Sequence, residues 1–467
     1  MLKGHASAFL RGGGRPPGKY ALLVWNNSSA AVAAAHGVDP DRWQTAFGAV
    51  IDRIAPRFAR YEPVRHAAGL MLGMLSGLDR KNCWTIAEHR GEVTPDGLQH
   101  LLCRAKWDAD AVRDDVRGYL VEHFGDPDAV LVLDETGDVK KGVHSVGVQR
   151  QYTGTAGRVE NAQVAVFCAY AAERGHALID RAWYLPRSWT TEPDRCAAAG
   201  IPADTAFSTK PALATAMITR AVRAGVPAAW VAGDEVYGAD PGLRRTIRAD
   251  TDSATYRRSR PTTAYPPTPG RSQSPNYPRC SPTQPGRPTR PGRAAKDPAT
   301  TRGHGSPSKP KTTPNPATPG STTYSSAATT PPVKLAYHRC YTPHPVTLRT
   351  LVRVAGQRWR IEESFQAAKG LTGLDQHQVR RWTSWHRWTT LAMLAHAFLA
   401  VATAAERDHT GTPAGLIALT VNEFRRLFDA LILSTRRTLA TPLAWSTWRR
   451  RHQARARECH YRRREHQ

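Results

Sequence analysis

The sequence predicts an α/β fold: a mixed sheet with helices packed on it, one helical region before it and another after it. Three observations carry this. Short apolar runs alternate with amphipathic stretches from Ala129 to Ala249. Helical periodicity fills the chain from about Asp39 to His123, and again across 382–434. Between the sheet and the last helices, residues 251–332 contain no Ile, Leu, Val, Met, Phe or Trp, so a disordered segment interrupts the fold.

Residues 1–36, with Gly12-Gly13-Gly14 and Pro16-Pro17, form a poorly structured tail, such as a start codon placed too far upstream would give. Residues 37–125 are a helical region that could bind DNA. Within it Thr85-Ile86-Ala87-Glu88-His89 leads through Gly91 to Thr94-Pro95, where Thr94 suits an N-cap and Pro95 a first helical residue. Leu98, Leu101 and Leu102 supply the next apolar face. Helix, short turn and capped helix fit a helix-turn-helix or an ordinary bundle hairpin; the second helix lacks a basic run, which favours the hairpin.

Residues 126–250 hold strand candidates at 129–133, 145–152, 163–170, 177–184 and 228–232, and helix candidates at 211–224 and 241–249. The segment 251–332 then carries about half of the chain's 35 prolines, with much Ser, Thr, Arg and Gly. It cannot bury enough apolar surface to offset its ordering entropy. A flexible basic linker and an out-of-frame reading of a GC-rich gene both produce such a composition. One permitted codon choice for Asp252–Tyr256 spells Leu-Gly-Tyr-Val in a shifted frame, which resembles a buried strand, and the abrupt edges favour the frameshift. Patterned sequence resumes over 333–435, with a strand at Lys334–Tyr341, a helix at Val346–Gly356 and a further helix around Glu362. The tail 436–467 has ten arginines against two glutamates and suits a solvated or DNA-contacting surface.

The net charge of +26 and pI near 10.3 point to a polyanion, nucleic acid before an anionic membrane surface. The longest apolar stretch, Leu391–Ala405, contains His396 and reads as a buried helix, not a membrane span. Seven scattered cysteines with no CxxC pair argue against a zinc site or disulfide framework and for a reducing cytoplasm.

The chemistry lies in three carboxylates. Asp134 follows the apolar run Val130–Leu133, and Asp234 follows Ala229–Gly233. If those strands are neighbours, both side chains enter one pocket. On the later helix, Arg358, Glu362 and Lys369 share a narrow arc beside the apolar Ile361, Phe365 and Ala368. A lone Asp at a strand end is usually a cap and a lone helical Glu usually solvated; it is the constellation in a very basic chain that points to a site. Three oxygen donors suit Mg²⁺ or Mn²⁺ with room left for phosphate oxygens. Arg358 and Lys369 are expected to contact DNA phosphate.

These segments resemble the DDE-superfamily transposases of bacterial insertion sequences, in the insertion-sequence-four-like branch whose third carboxylate lies in a Tyr-x2-Arg-x3-Glu-x6-Lys motif. Arg358, Glu362 and Lys369 match that spacing, while Ala355 departs from it at the tyrosine position and lacks the aromatic that the family places near DNA. Leu133–Gly137, Gly147–Gly154, Tyr184–Trp189, Gly233–Gly238 and the stretch from Gly373 to Trp385 are also similar, so the resemblance covers roughly 40–250 and 333–435. It implies a ribonuclease-H-like catalytic fold, with Asp134, Asp234 and Glu362 as catalytic residues and ligands of two Mg²⁺ or Mn²⁺ ions. It further implies transposon ends and target DNA as partners, a homodimer on those ends, no membrane, and a cytoplasmic, nucleoid-associated protein. The family's β-rich insertion should fall between about 250 and 335, where this sequence cannot build it, and the last strand of the sheet also looks lost. Three functions remain: a transposase that cleaves element ends and transfers strands, a decayed remnant that only binds DNA, and a simple metal-dependent nuclease.

Overall fold

The computed structural model describes residues 39–252, 262–265, 322–329, 334–411 and 417–433, and scattered positions between 448 and 462. The first helices form a bundle: α1 (Pro40–Ile54), α2 (Tyr61–Leu75), α3 (Cys83–His89), α4 (Asp96–Cys103) and α5 (Ala109–Phe124). Local chemistry sets their starts. The Asp39 carboxylate accepts from the backbone N–H of Asp41 at 3.1 Å and Arg42 at 3.2 Å, ahead of Pro40 in the first turn. Asn82 and Thr85 make a reciprocal capping box at α3.

The sheet is mixed. Its strands are β1 (Val130–Val139), β2 (Gln149–Thr153), β3 (Arg158–Ala171), β4 (His176–Tyr184), β5 (Trp230–Gly233), β6 (Thr262–Tyr265), β7 (Thr322–Thr329) and β8 (Lys334–Tyr341). Their order is β2-β3-β1-β5-β6-β8-β7, with β4 also paired to β3. β1 runs antiparallel to β3 and parallel to β5, and β5 runs parallel to β6. Between the strands lie α6 (Arg187–Thr190), α7 (Pro193–Ala199), α8 (Lys210–Arg223), α9 (Glu235–Gly238) and α10 (Pro241–Asp252). After β8 come α11 (Leu348–Gln357), α12 (Trp359–Thr372), α13 (Trp382–Thr410) and α14 (Val421–Phe428).

The structure corrects three expectations. Asp134 is not at the end of its strand: β1 continues to Val139 because β3 pairs with it as far as Val139–Ala162. Only the parallel pairing with β5 stops at Leu133–Gly233. The segment 251–332 is not wholly without structure: α10 reaches Asp252, and β6 and β7 lie within it, so a strand does follow β5. Backbone pairing needs no aliphatic side chains, and Thr and Tyr favour strands. The rest of that segment, the tail 1–36 and most of the basic tail lie outside the described residues. Finally, α4 begins at Asp96 with Pro95, not Thr94, at its cap, and α3 and α4 are the bundle hairpin that the missing basic run favours. Leu98, Leu101 and Leu102 are buried as α4 packs on α2 and α13, and no Lys or Arg lies in α4. Pro95 sits at the cap, and the Thr94 hydroxyl accepts from Asp96 N–H at 3.4 Å.

Helix α13 joins bundle to sheet. It is long and apolar enough to cross a membrane by composition, but it is enclosed by the bundle, β4 and α12. Polar groups on it serve the interior. The buried Arg387 guanidinium donates to the carbonyls of Leu101 (3.2 Å) in the last turn of α4 and of Ala105 (2.6 Å) and Trp107 (3.2 Å) beyond its end. Arg387→Ala should therefore lower the unfolding free energy by about 3 kcal/mol, since it orphans carbonyls as well as removing a charge-assisted donor. Denaturant unfolding measures this, and a change within error would refute the role.

Candidate active site

The carboxyl ends of the paired β1 and β5 segments place Asp134 and Asp234 side by side, one residue beyond the last parallel pair. Asp134 shares a face of the sheet with its cross-strand partner Phe167, and Phe167 meets Phe365 of α12 edge to face at 5.4 Å. That is the face α12 covers, with Ile361 and Ala368 buried. Glu362 lies one turn before Phe365, on the helix that packs against β1. Strand alternation puts Glu135 on the opposite face.

Each aspartate is held by backbone. The Asp134 carboxylate accepts from Glu135 N–H at 2.8 Å. Asp234 caps α9, accepting from Val236 N–H at 2.9 Å and Tyr237 N–H at 3.4 Å. Burial, then the negative charge of Asp234, pushes the Asp134 carboxyl up to about 7. Burial and then the Glu135 charge raise Asp234 as well. Glu362 is raised by burial, against the pull of Arg358. Arg358 is the shared counter-charge, drawing all three carboxyls back toward ionisation.

The three acids do not form one cluster. Glu362 is 43 % exposed and lies 3.7 Å from Arg358 on its own helix. Among the described residues no three His, Cys, Asp or Glu side chains gather as a metal-binding group. The strand register sets the two aspartates side by side, while Glu362 faces Arg358 one turn before it. Arg358 offers Glu362 a counter-charge one helical turn away. Glu363 is no substitute, since it pairs with Arg360 at 2.8 Å and with His176 at 3.3 Å.

Lys369 turns inward. It is 17 % exposed and lies 3.7 Å from Asp138, within 3.4 Å of the Gly137 carbonyl and the Thr155 hydroxyl. Asp138 also faces buried His377 at 3.2 Å. Burial opposes the Asp138 charge, but the His377 hydrogen bond and the charges of His377, Lys140 and Lys369 outweigh it and hold the carboxyl below its usual range. Sequence reading missed Asp138, His377 and Glu135. The signal for Asp138 was present: Asp134, Thr136 and Asp138 alternate onto one strand face. His377 lies in the family-like stretch Gly373–Trp385, but no periodicity pointed it at Asp138; the loop after α12 brings it there.

Residues 53–317, more than half of the chain, match the family described as DDE superfamily endonuclease. The chain belongs to that family. The matched span of this DDE-family chain includes Asp134 and Asp234 and ends before Glu362. It is also similar to a probable transposase for insertion sequence element IS701 from Microchaete diplosiphon, with 30% identity over 174 residues. That alignment takes in 36% of this chain and 42% of the relative, so the chain spans less than half the length of the curated protein it matches. Among solved structures, the piggyBac transposase synaptic complex with hairpin DNA matches at 10% identity and a TM-score of 0.42, covering 84% of this chain and 79% of that one.

The aspartate pair generates a pH prediction. Asp134 binds a proton more tightly folded, near pH 7, than unfolded, near its ordinary 3.8. Its contribution to stability is therefore present below about pH 4 and is lost as pH rises through about 7. In chelator-treated protein, Asp134→Asn should melt above the parent at pH 8, with a smaller difference at pH 5. Parallel melting curves across that range would show that the pair carries no such strain.

Proposed function

We propose that this chain is a metal-dependent DNA transposase, cleaving element ends and joining the freed 3′-hydroxyl to target DNA. The observation that carries this reading is the register that sets Asp134 and Asp234 side by side beyond the last parallel pair of β1 and β5, within the span that matches the DDE superfamily endonuclease family. The donor set fits Mg²⁺ or Mn²⁺: adjoining hard oxygen donors with raised proton affinity that a cation would relieve. In this reading Asp134 and Asp234 hold the ions, two being expected, and Glu362 joins them by leaving Arg358. The ions, when bound, supply an activated oxygen nucleophile and stabilise the leaving oxygen at phosphorus. Arg358, released from Glu362, would hold a DNA phosphate beside the acids. Lys369 has the same assignment only if phosphate displaces it from Asp138.

The strand order β4-β3-β1-β5-β6, with β3 antiparallel to its neighbours and β5 and β6 parallel to β1, supports a ribonuclease-H-like fold. The net charge of +26 supports DNA as partner. The remaining assignments are the insertion-sequence-four-like branch, a homodimer on transposon ends and a place on the bacterial nucleoid. They rest on the motif resemblance.

A second reading, a remnant that binds DNA without cutting it, is favoured by the separation of Glu362 from the aspartates and by the composition of residues 251–332. The test is cleavage of a labelled duplex carrying the DNA that flanks the gene. With Mg²⁺ or Mn²⁺ the parent should cut, and Asp134→Asn, Asp234→Asn and Glu362→Gln should each lower the rate on the order of a hundredfold or more. An inert parent that binds the duplex with steep salt dependence would favour the remnant. Full activity in Glu362→Gln would remove Glu362 from the site.

Metal affinity should also depend on pH. A proton competes for Asp134 below about pH 7, so calorimetric Mn²⁺ affinity should fall by roughly tenfold per pH unit there. Affinity flat from pH 5 to 8 would contradict this.

A further inference from the structure

Glu135 follows Asp134 in the sequence but lies on the other face of β1, paired across the strands with Val166. Both of its oxygens are taken. One accepts from the Lys210 ammonium at 2.7 Å, and the other from the Tyr237 hydroxyl. Lys210 opens α8 and lies beside the Tyr184 ring, 5.6 Å from its centre. Tyr237 is 0 % exposed and belongs to α9, the single turn capped by Asp234. Its backbone N–H donates to the Asp234 carboxylate, while its hydroxyl donates to Glu135. The approach is close: a Cβ at Gly233 would meet the Tyr237 Cβ at 3.0 Å.

We propose that Glu135, Lys210 and Tyr237 are a positioning unit for Asp234, tying the turn that Asp234 caps to the strand that carries Asp134. The inference rests on the metal-site reading above. Tyr237 spans the two strands. Its phenol fixes α9 against β1, and its amide fixes the rotamer of Asp234. Lys210 supplies the counter-charge for Glu135, so this acid is held as an anchor, away from the opposite face where Asp134 lies. Partners behind a metal-binding side chain typically change metal affinity by about 10- to 100-fold when removed.

The experiment is Mn²⁺ titration calorimetry on the full chain at pH 8, with thermal unfolding of each variant in chelator. Tyr237→Phe keeps the buried ring and loses only the hydroxyl. It should weaken Mn²⁺ binding about tenfold while still folding cooperatively. Glu135→Gln keeps an acceptor for Tyr237 and should retain most of the affinity, whereas Glu135→Ala should resemble Tyr237→Phe. If Tyr237→Phe does not fold, the contrast between Glu135→Gln and Glu135→Ala decides. Parent-like Mn²⁺ binding in Tyr237→Phe and Glu135→Ala, beside a loss in Asp234→Asn, would overturn the positioning role and leave the metal site standing. No Mn²⁺ binding by the parent, or none lost in Asp234→Asn, would remove the metal site and this inference with it.

Discussion

The packing of α12 along β1 determines where each charge of the site can go. Ile361, Phe365 and Ala368 press on the sheet face that Asp134, Thr136 and Asp138 share, with Phe167 as the contact from β3. The two elements keep step: seven helical residues from Glu362 to Lys369 rise ~10 Å and four strand residues from Asp134 to Asp138 ~13 Å. One end of the helix therefore brings Arg358 and Glu362 toward the aspartate pair, and the other delivers Lys369 to Asp138. A slip of one residue in β1 would exchange Asp134 for Glu135 on that face.

Other buried acids in the fold have cations. Asp180 meets Arg220 at 2.9 Å and Arg113 at 3.6 Å, and Asp138 meets His377 and Lys369. Glu406 takes Arg42 and the Trp43 indole N–H. Asp134 and Asp234 instead accept only backbone N–H groups among the described hydrogen bonds. A fold that neutralises its structural acids and leaves two adjoining ones to backbone donors has set those two apart. Arg358 moderates their charge without closing on them.

Much of this was legible in the residues. Apolar runs ending in Asp134 and Asp234 marked two strands, and the register Leu133–Gly233 makes them neighbours. The run Lys334–Tyr341 is a strand to its exact bounds. What periodicity could not give was tertiary. The length of β1 depends on a long antiparallel partner, and Glu362 pairs with Arg358 one turn before it on the same helical face. His377 reaches Asp138 only through a loop whose path no local pattern encodes. Strands β6 and β7 were missed because aliphatic content was the criterion, while ladder pairing uses main-chain groups that every residue except proline supplies in full.

Helix α13 carries a consequence for how the protein is made. Its apolar surface runs all the way round, and the bundle of α1, α2, α4 and α5 closes on it although each of them ends more than 250 residues before it in the chain. During synthesis the N-terminal helices emerge with their inner faces bare and must wait for residue 410 before the core exists. A chain ended early, in the proline-rich stretch for instance, would therefore leave a sticky helical fragment for chaperones and proteases rather than a free-standing domain. Quality control on the ribosome would then limit how much folded protein a cell accumulates.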